Sequence, residues 1–176
     1  MPQDNGVVKA FQFHIDGFEE MKDIYRGILK SFGVVDPDTQ MTNAYTMIPE
    51  EKRNGVMFND LVAGLFKDDE DRKAKALEVF EQIKDDITIS PYIKAYIAEM
   101  ASGYIPYDTV ITAARMVGGE KGKDGKSLQM GCGEGKTGVL SMAAYAILQQ
   151  NNKKQVFITS STENLAAEAL DKIEFY

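Results

Sequence analysis

Apolar residues recur at three- and four-residue steps along much of the chain, the spacing that gathers them on one side of an α-helix. Phe18, Met21, Tyr25, Ile28 and Phe32 make the first such stripe, and Gly33 is its stop. Met57, Phe58, Leu61, Val62 and Leu65 make a second, and Leu77, Phe80, Ile83 and Ile87 a third. Ser90-Pro91 then offers an N-cap with proline in the first turn, and Ile93, Tyr96, Ile97 and Met100 continue as an apolar face. Tyr107 to Val117 closes the helical series at Gly118-Gly119. Between the first two stripes, Val34 to Met47 carries Asp36-Pro37-Asp38 and no regular period, so it reads as a loop. Stripes of Met and aromatic residues at this spacing are core-forming faces rather than a ligand box. No fixed-period repeat supports a solenoid.

Past Gly119 the pattern changes. A polar run from Glu120 to Lys126 leads to Ser127-Leu128-Gln129-Met130, a candidate short strand. Gly138 to Leu148 is small and apolar almost all round, as suits a helix packed between two layers. The polar turn Gln149 to Lys154 precedes Gln155-Val156-Phe157-Ile158-Thr159-Ser160, whose β-branched and aromatic content predicts a strand, and Asn164 to Ile173 reads as another helix. Strand, loop, helix, strand, helix is the opening of a βαβ arrangement and implies a parallel sheet. The expected fold class is therefore α/β, with a mostly helical region over residues 1–105 followed by the start of a parallel sheet over 106–176.

Composition narrows the partners. A chain of 176 residues with 44% hydrophobic residues can bury a respectable core. Lys+Arg 20 against Asp+Glu 27 leaves a net charge of -7, which repels a nucleic-acid backbone, so nucleic acid is not an expected partner. The acidic clusters Lys67 to Asp71 and Lys84 to Asp86 flank the third stripe and read as solvated helix ends. Lys121, Lys123 and Lys126 read as a solvated loop, with phosphate steering as the alternative. A single cysteine excludes an internal disulfide. With no N-terminal apolar h-region and no long apolar run, no transmembrane segment is expected and a reducing, cytoplasmic setting fits best. His14 is the only histidine and has no ligand partner at metal spacing, so Phe11-Gln12-Phe13-His14-Ile15 reads as packing. Met1 to Gly6 is expected to fray.

The chemistry concentrates in Met130-Gly131-Cys132-Gly133-Glu134-Gly135-Lys136-Thr137. Gly133 and Gly135 permit positive φ and close backbone approach, so that N–H groups can converge on phosphate oxygens at the start of a helix. Lys136 would set its ammonium against the β and γ phosphates, and the Thr137 hydroxyl would complete the shell of a magnesium ion. The expected site is therefore Gly131 through Thr137, with Thr137 on the metal. Cys132 reads as a small residue that fits, and a thiolate favoured by the helix end is the alternative.

Met130, in the place where the usual pattern has glycine, is a clue to the family. Met-x-x-Gly-Glu-Gly-Lys-Thr resembles the nucleotide loop of SecA, the motor ATPase of bacterial preprotein translocation, built from RecA-like P-loop domains. Ala144-Tyr145, the run Val156 to Ile158, Leu165-Ala166 and the aromatic-Asp pair Tyr107-Asp108 continue the likeness over Pro106 to Tyr176. The resemblance implies a partial RecA-like sheet with ATP and Mg2+ as cofactors, and a polypeptide substrate or translocation machinery as partner. Two features depart from it. Val110 stands where the family reads adenine with a glutamine, and an isopropyl group makes neither of the amide's hydrogen bonds. No later strand ending in Asp-Glu follows Ser160, so the segment is truncated before the Walker B strand, and binding without hydrolysis by this chain alone is expected. The alternative is a non-catalytic protein-interaction domain that keeps a degenerate motor fold.

Overall fold

The computed structural model describes residues 18–46, 58–118, 135–150, 155–157 and 167. Among them lie seven α-helices: α1 Phe18–Ser31, α2 Pro37–Thr46, α3 Phe58–Ala63, α4 Asp69–Ile83, α5 Pro91–Ala101, α6 Asp108–Val117 and α7 Lys136–Gln150. No helix among the described residues is long and apolar enough to cross a membrane.

The first helix buries Tyr25 and Ile28 of its predicted stripe, with Phe32 partly buried. Ile24, Tyr25, Ile28 and Leu29 are buried, and the helix stops where the sequence says it should. Gly33 sits at φ +81°, which lets its N–H reach the Lys30 carbonyl at 2.9 Å and the Val34 N–H reach that of Leu29 at 3.1 Å. These two bonds satisfy carbonyls that a helix end otherwise leaves open.

The expected loop from Val34 to Met47 is instead largely the helix α2. Its start is chemical rather than hydrophobic: the Asp36 carboxylate accepts the Thr39 N–H at 3.1 Å, and Pro37 fills the first turn. Hydrogen bonding from Thr39 holds the Asp36 carboxyl below its ordinary range. Arg26 of α1 reaches Asp38 at 2.9 Å and ties the two helices together.

The helix α4 keeps its expected acidic entry. Asp68 accepts the Asp71 N–H at 2.8 Å as N-cap, and Asp71 accepts the Lys67 N–H at 3.0 Å. Its buried side, however, is Arg72, Ala76, Phe80 and Ile83. Leu77 is 48% exposed and Ile87, beyond the helix end, is 95% exposed, so the predicted third stripe is correct only at its centre. Arg72 earns its buried place by donating to the Gly103 carbonyl at 2.9 Å and pairing with Asp69 at 2.6 Å.

The centre of the molecule is α5, buried without interruption from Tyr92 to Met100 and packed against α1, α4, α6 and α7. Ser90 occupies its N-cap with Pro91 in the first turn, as expected, although the Ser90 hydroxyl makes no capping bond. Each large apolar side chain so enclosed contributes roughly 1.5–3 kcal/mol relative to exposure. Lys94, the basic residue in this run, is satisfied by the Lys84 carbonyl at 2.8 Å, at the C-cap of α4. One hydrophobic cluster extends from Ile24 on α1 to Ala146 on α7.

The α/β expectation is overturned. The described residues form a helical fold, with no strand and no sheet among them, so the RecA-like parallel sheet does not follow the helical half. Gln155, Val156 and Phe157 are irregular, and Phe157 is 83% exposed. Their β-branched and aromatic content predicts a strand, but a strand is stable only when a neighbour pairs with it and its apolar face is covered. The other proposed strand, 127–130, lies outside the described residues. So do residues 1–6, expected to fray, the His14 segment, 11–15, Met57, Lys121, Lys123 and Lys126, residues 158–160 and all of the helix expected over 164–173 except Ala167, which is helical.

Candidate nucleotide-binding site

The glycine-rich run ends where α7 begins. Gly135 has φ +82°, and its carbonyl accepts the Val139 N–H at 3.1 Å, which makes it the residue from which the helix starts. A side chain is excluded there for a second reason: a Cβ would stand 2.8 Å from Val110 Cγ2 and 3.0 Å from the Tyr104 hydroxyl. Glycine is thus required by both backbone conformation and close approach. Lys136, the first helical residue, is exposed, and Thr137 is half-buried. Gly131, Cys132, Gly133 and Glu134 lie outside the described residues, as does Met130.

Behind the helix start stands a buried wall. Val110, on α6, is fully buried and also approaches Gly138, whose Cβ would lie 3.4 Å away. The position that the resemblance assigns to adenine recognition is therefore committed to packing. Tyr104 faces Tyr107 edge-on at 6.2 Å, and burial raises the Tyr104 hydroxyl above its ordinary range, with a backbone hydrogen bond from Tyr107 acting the other way. The first turn of α7 is further anchored by Ser141, whose hydroxyl lies 2.8 Å from the buried Glu99 carboxylate of α5 and 3.1 Å from the Thr137 carbonyl.

The aromatic-Asp pair opens a helix as the sequence implied, with Tyr107 at the N-cap and Asp108 as the first residue of α6. Its structural partner was not legible. The Asp108 carboxylate is only 3% exposed and accepts the Phe58 N–H at 2.8 Å and the Asn59 N–H at 3.3 Å, so it caps the short helix α3 from across the chain. Phe58 in turn stacks on Tyr25 with ring centroids 4.1 Å apart. Sequence reasoning also passed over Tyr104 and Glu99. The signal for Glu99 was a carboxylate set inside an apolar stripe, where a charged group requires a partner.

Chemically, the amino end of α7 is a setting that favours an anion, because the first N–H groups of a helix have no acceptor inside it. No group of three or more His, Cys, Asp or Glu residues able to hold a metal ion is present among the described residues. A magnesium ion at Thr137 would thus take most of its oxygen ligands from phosphate and water, which is the usual coordination of that ion. No family model, curated protein or solved structure matches the chain.

Proposed function

We propose that the chain binds a nucleoside triphosphate with magnesium, ATP by its resemblance, at the amino end of α7, as the nucleotide-binding portion of a SecA-like or helicase-like motor ATPase. The observation supporting this reading is Gly135 at φ +82°, wedged against Val110 and Tyr104, delivering the chain into a helix whose first residue is the exposed Lys136. Such a start turns the first backbone N–H groups of the helix outward, and an anion such as a phosphate chain is favoured there. Thr137 would hold the magnesium, and Gly131, Cys132, Gly133 and Glu134 would complete the loop. The proposal is one of binding rather than turnover: the buried carboxylates Asp108 and Glu99 are engaged inside the bundle, so neither is offered to an attacking water. A polypeptide or translocation machinery as partner, and a cytoplasmic setting, belong to the same proposal.

One observation favours a second reading, a non-catalytic protein-interaction domain. Val110 is a buried isopropyl group where adenine recognition would need an amide. Titration of a fluorescent ATP analogue, with and without magnesium, against the chain and its Lys136→Ala variant separates the two. Loss of the ammonium should cost roughly 2–5 kcal/mol of binding, most strongly with magnesium present. Equal binding by both proteins removes the nucleotide reading, and no binding by either leaves the interaction domain.

A further inference from the structure

Two of the supports around the start of α7 trace back to one residue, Glu99, in the last turn of α5. Past it the helix closes by a pair of bonds: the Gly103 N–H reaches the Met100 carbonyl at 3.1 Å, and the Tyr104 N–H reaches the Glu99 carbonyl at 3.0 Å. Gly103, at φ +103°, supplies the left-handed residue that such an ending requires. Arg72 fastens the same turn from α4 by donating to the Gly103 carbonyl at 2.9 Å. Tyr104 is thereby fixed as the chain leaves α5, and its hydroxyl stands 3.0 Å from the point where a Cβ on Gly135 would lie.

The side chain of Glu99 reaches the other support. Its buried carboxylate takes the Ser141 hydroxyl at 2.8 Å, and the same hydroxyl oxygen lies 3.1 Å from the Thr137 carbonyl and 3.1 Å from that of Gly138. A hydroxyl has one proton to give. The carboxylate is the stronger, charge-assisted acceptor, so Ser141 is held toward α5 rather than turned back on its own helix. Glu99 thus grips the turn from Gly135 to Gly138 from two directions, through Tyr104 by its backbone and through Ser141 by its side chain. Its charge has the opposite effect. A negative group buried one hydroxyl away from the helix start disfavours an anion there, because repulsion in the interior is poorly screened. Position and charge oppose each other at this residue.

We propose, on the nucleotide reading given above, that Glu99 is a positioning residue for the phosphates: it holds the start of α7 in its binding shape while its charge works against the ligand. Two substitutions separate the contributions. Glu99→Gln keeps an oxygen acceptor for Ser141 and removes the charge, whereas Glu99→Ala removes both. Titration of the fluorescent ATP analogue with magnesium should therefore give Glu99→Gln an affinity equal to or above that of the parent, and should weaken Glu99→Ala by at least about fivefold. The number of sites per chain should stay the same in all three, since partial unfolding would remove sites rather than weaken those left. Ser141→Ala combined with Glu99→Ala should bind as Glu99→Ala alone does, because both changes act through one contact. Amide NMR without nucleotide supplies a second readout: Glu99→Ala should shift Gly135, Lys136 and Thr137, and Glu99→Gln should leave them near their parent positions. No binding by the parent chain removes the nucleotide reading and the proposal with it. With the parent binding, a Glu99→Gln variant as weak as Glu99→Ala, a Glu99→Ala variant as tight as the parent, or unmoved Gly135 to Thr137 signals in Glu99→Ala overturns the proposal alone.

Discussion

The helices α5 and α7 are both apolar on nearly every side, yet they are buried by different means. α5 carries bulk, with Tyr92, Ile93, Tyr96, Ile97 and Met100 buried, and four other helices pack around it. α7 carries mostly small residues along its buried stretch, Gly138, Ser141, Ala143, Ala144 and Ala146 among them, and packs on α5 and α6. Its bulkier Leu140 and Leu148 remain 43% and 41% exposed. Small residues let backbones approach closely but exclude less water per position, so uniform hydropathy describes a bulky central helix in one case and, in the other, a helix of mostly small buried residues that leaves two leucines half-exposed. A buried polar contact, Ser141 to Glu99, joins the two helices. A carboxylate in that environment fixes the register of α7 against α5, because any slip would leave it without the hydroxyl.

The largest test of this contrast is truncation on each helix. Ile97→Ala should lower unfolding free energy by about 2–5 kcal/mol in urea melts, whereas Leu140→Ala should change it by no more than about 0.5 kcal/mol. Comparable losses at the two positions would mean that α7 is as enclosed as α5, and the distinction between them would collapse.

Next comes the tie that holds α3 to the segment behind the loop. Asp108→Ala leaves the Phe58 and Asn59 amides without their acceptor, an expected loss of about 1–3 kcal/mol. Amide hydrogen exchange should accelerate at Phe58 and Asn59 ahead of the α5 core. Uniform acceleration would show that Asp108 supports the whole bundle rather than one end of it.

The smallest effect sharpens the account of α5 itself. The Tyr96 hydroxyl is buried without a hydrogen-bond partner among the described residues, and burial, with nearby Asp108 adding to it, raises its pKa well above the ordinary 10.0. A raised folded-state value means that the neutral phenol's contribution is fully present below about pH 10 and is lost as pH rises further, since the unfolded chain releases that proton first. Stability should therefore fall on the alkaline side. Tyr96→Phe should reduce that slope, leaving the part due to Tyr25, Tyr104 and Tyr145, which burial also raises, and should be neutral or stabilising near pH 7. An unchanged alkaline slope in the variant would place the titration elsewhere.

How far the chain could be read depended on what kind of signal each element used. The helices α1, α5 and α6 announced themselves by period, cap and stop, as Gly33, Pro91 and Gly118 illustrate. The helix α2 did not, because Met41 is the large apolar residue it places in the core among its described side chains, and its start rests on the Asp36 cap, a local bond that periodicity ignores. In α4, hydropathy selected Leu77 over Ala76, although close packing against α5 favoured the smaller side chain. At the candidate site, the positive φ of Gly135 and the helix start that follows it were legible in the sequence. The packing of Val110 and Tyr104 on Gly135 was not, since it joins residues that lie far apart in sequence.

Taken alone, the order of residues determined where most helices run, the acidic balance of the surface and the Gly-Lys-Thr entry into α7, because these are consequences of spacing and composition within a few turns. Tertiary structure decided which apolar faces are enclosed, that Asp108 caps a helix some fifty positions earlier and that Ser141 meets Glu99. It also decided against a sheet among the described residues. Local patterns express the preferences of a short segment, whereas burial and pairing depend on partners supplied from elsewhere in the chain.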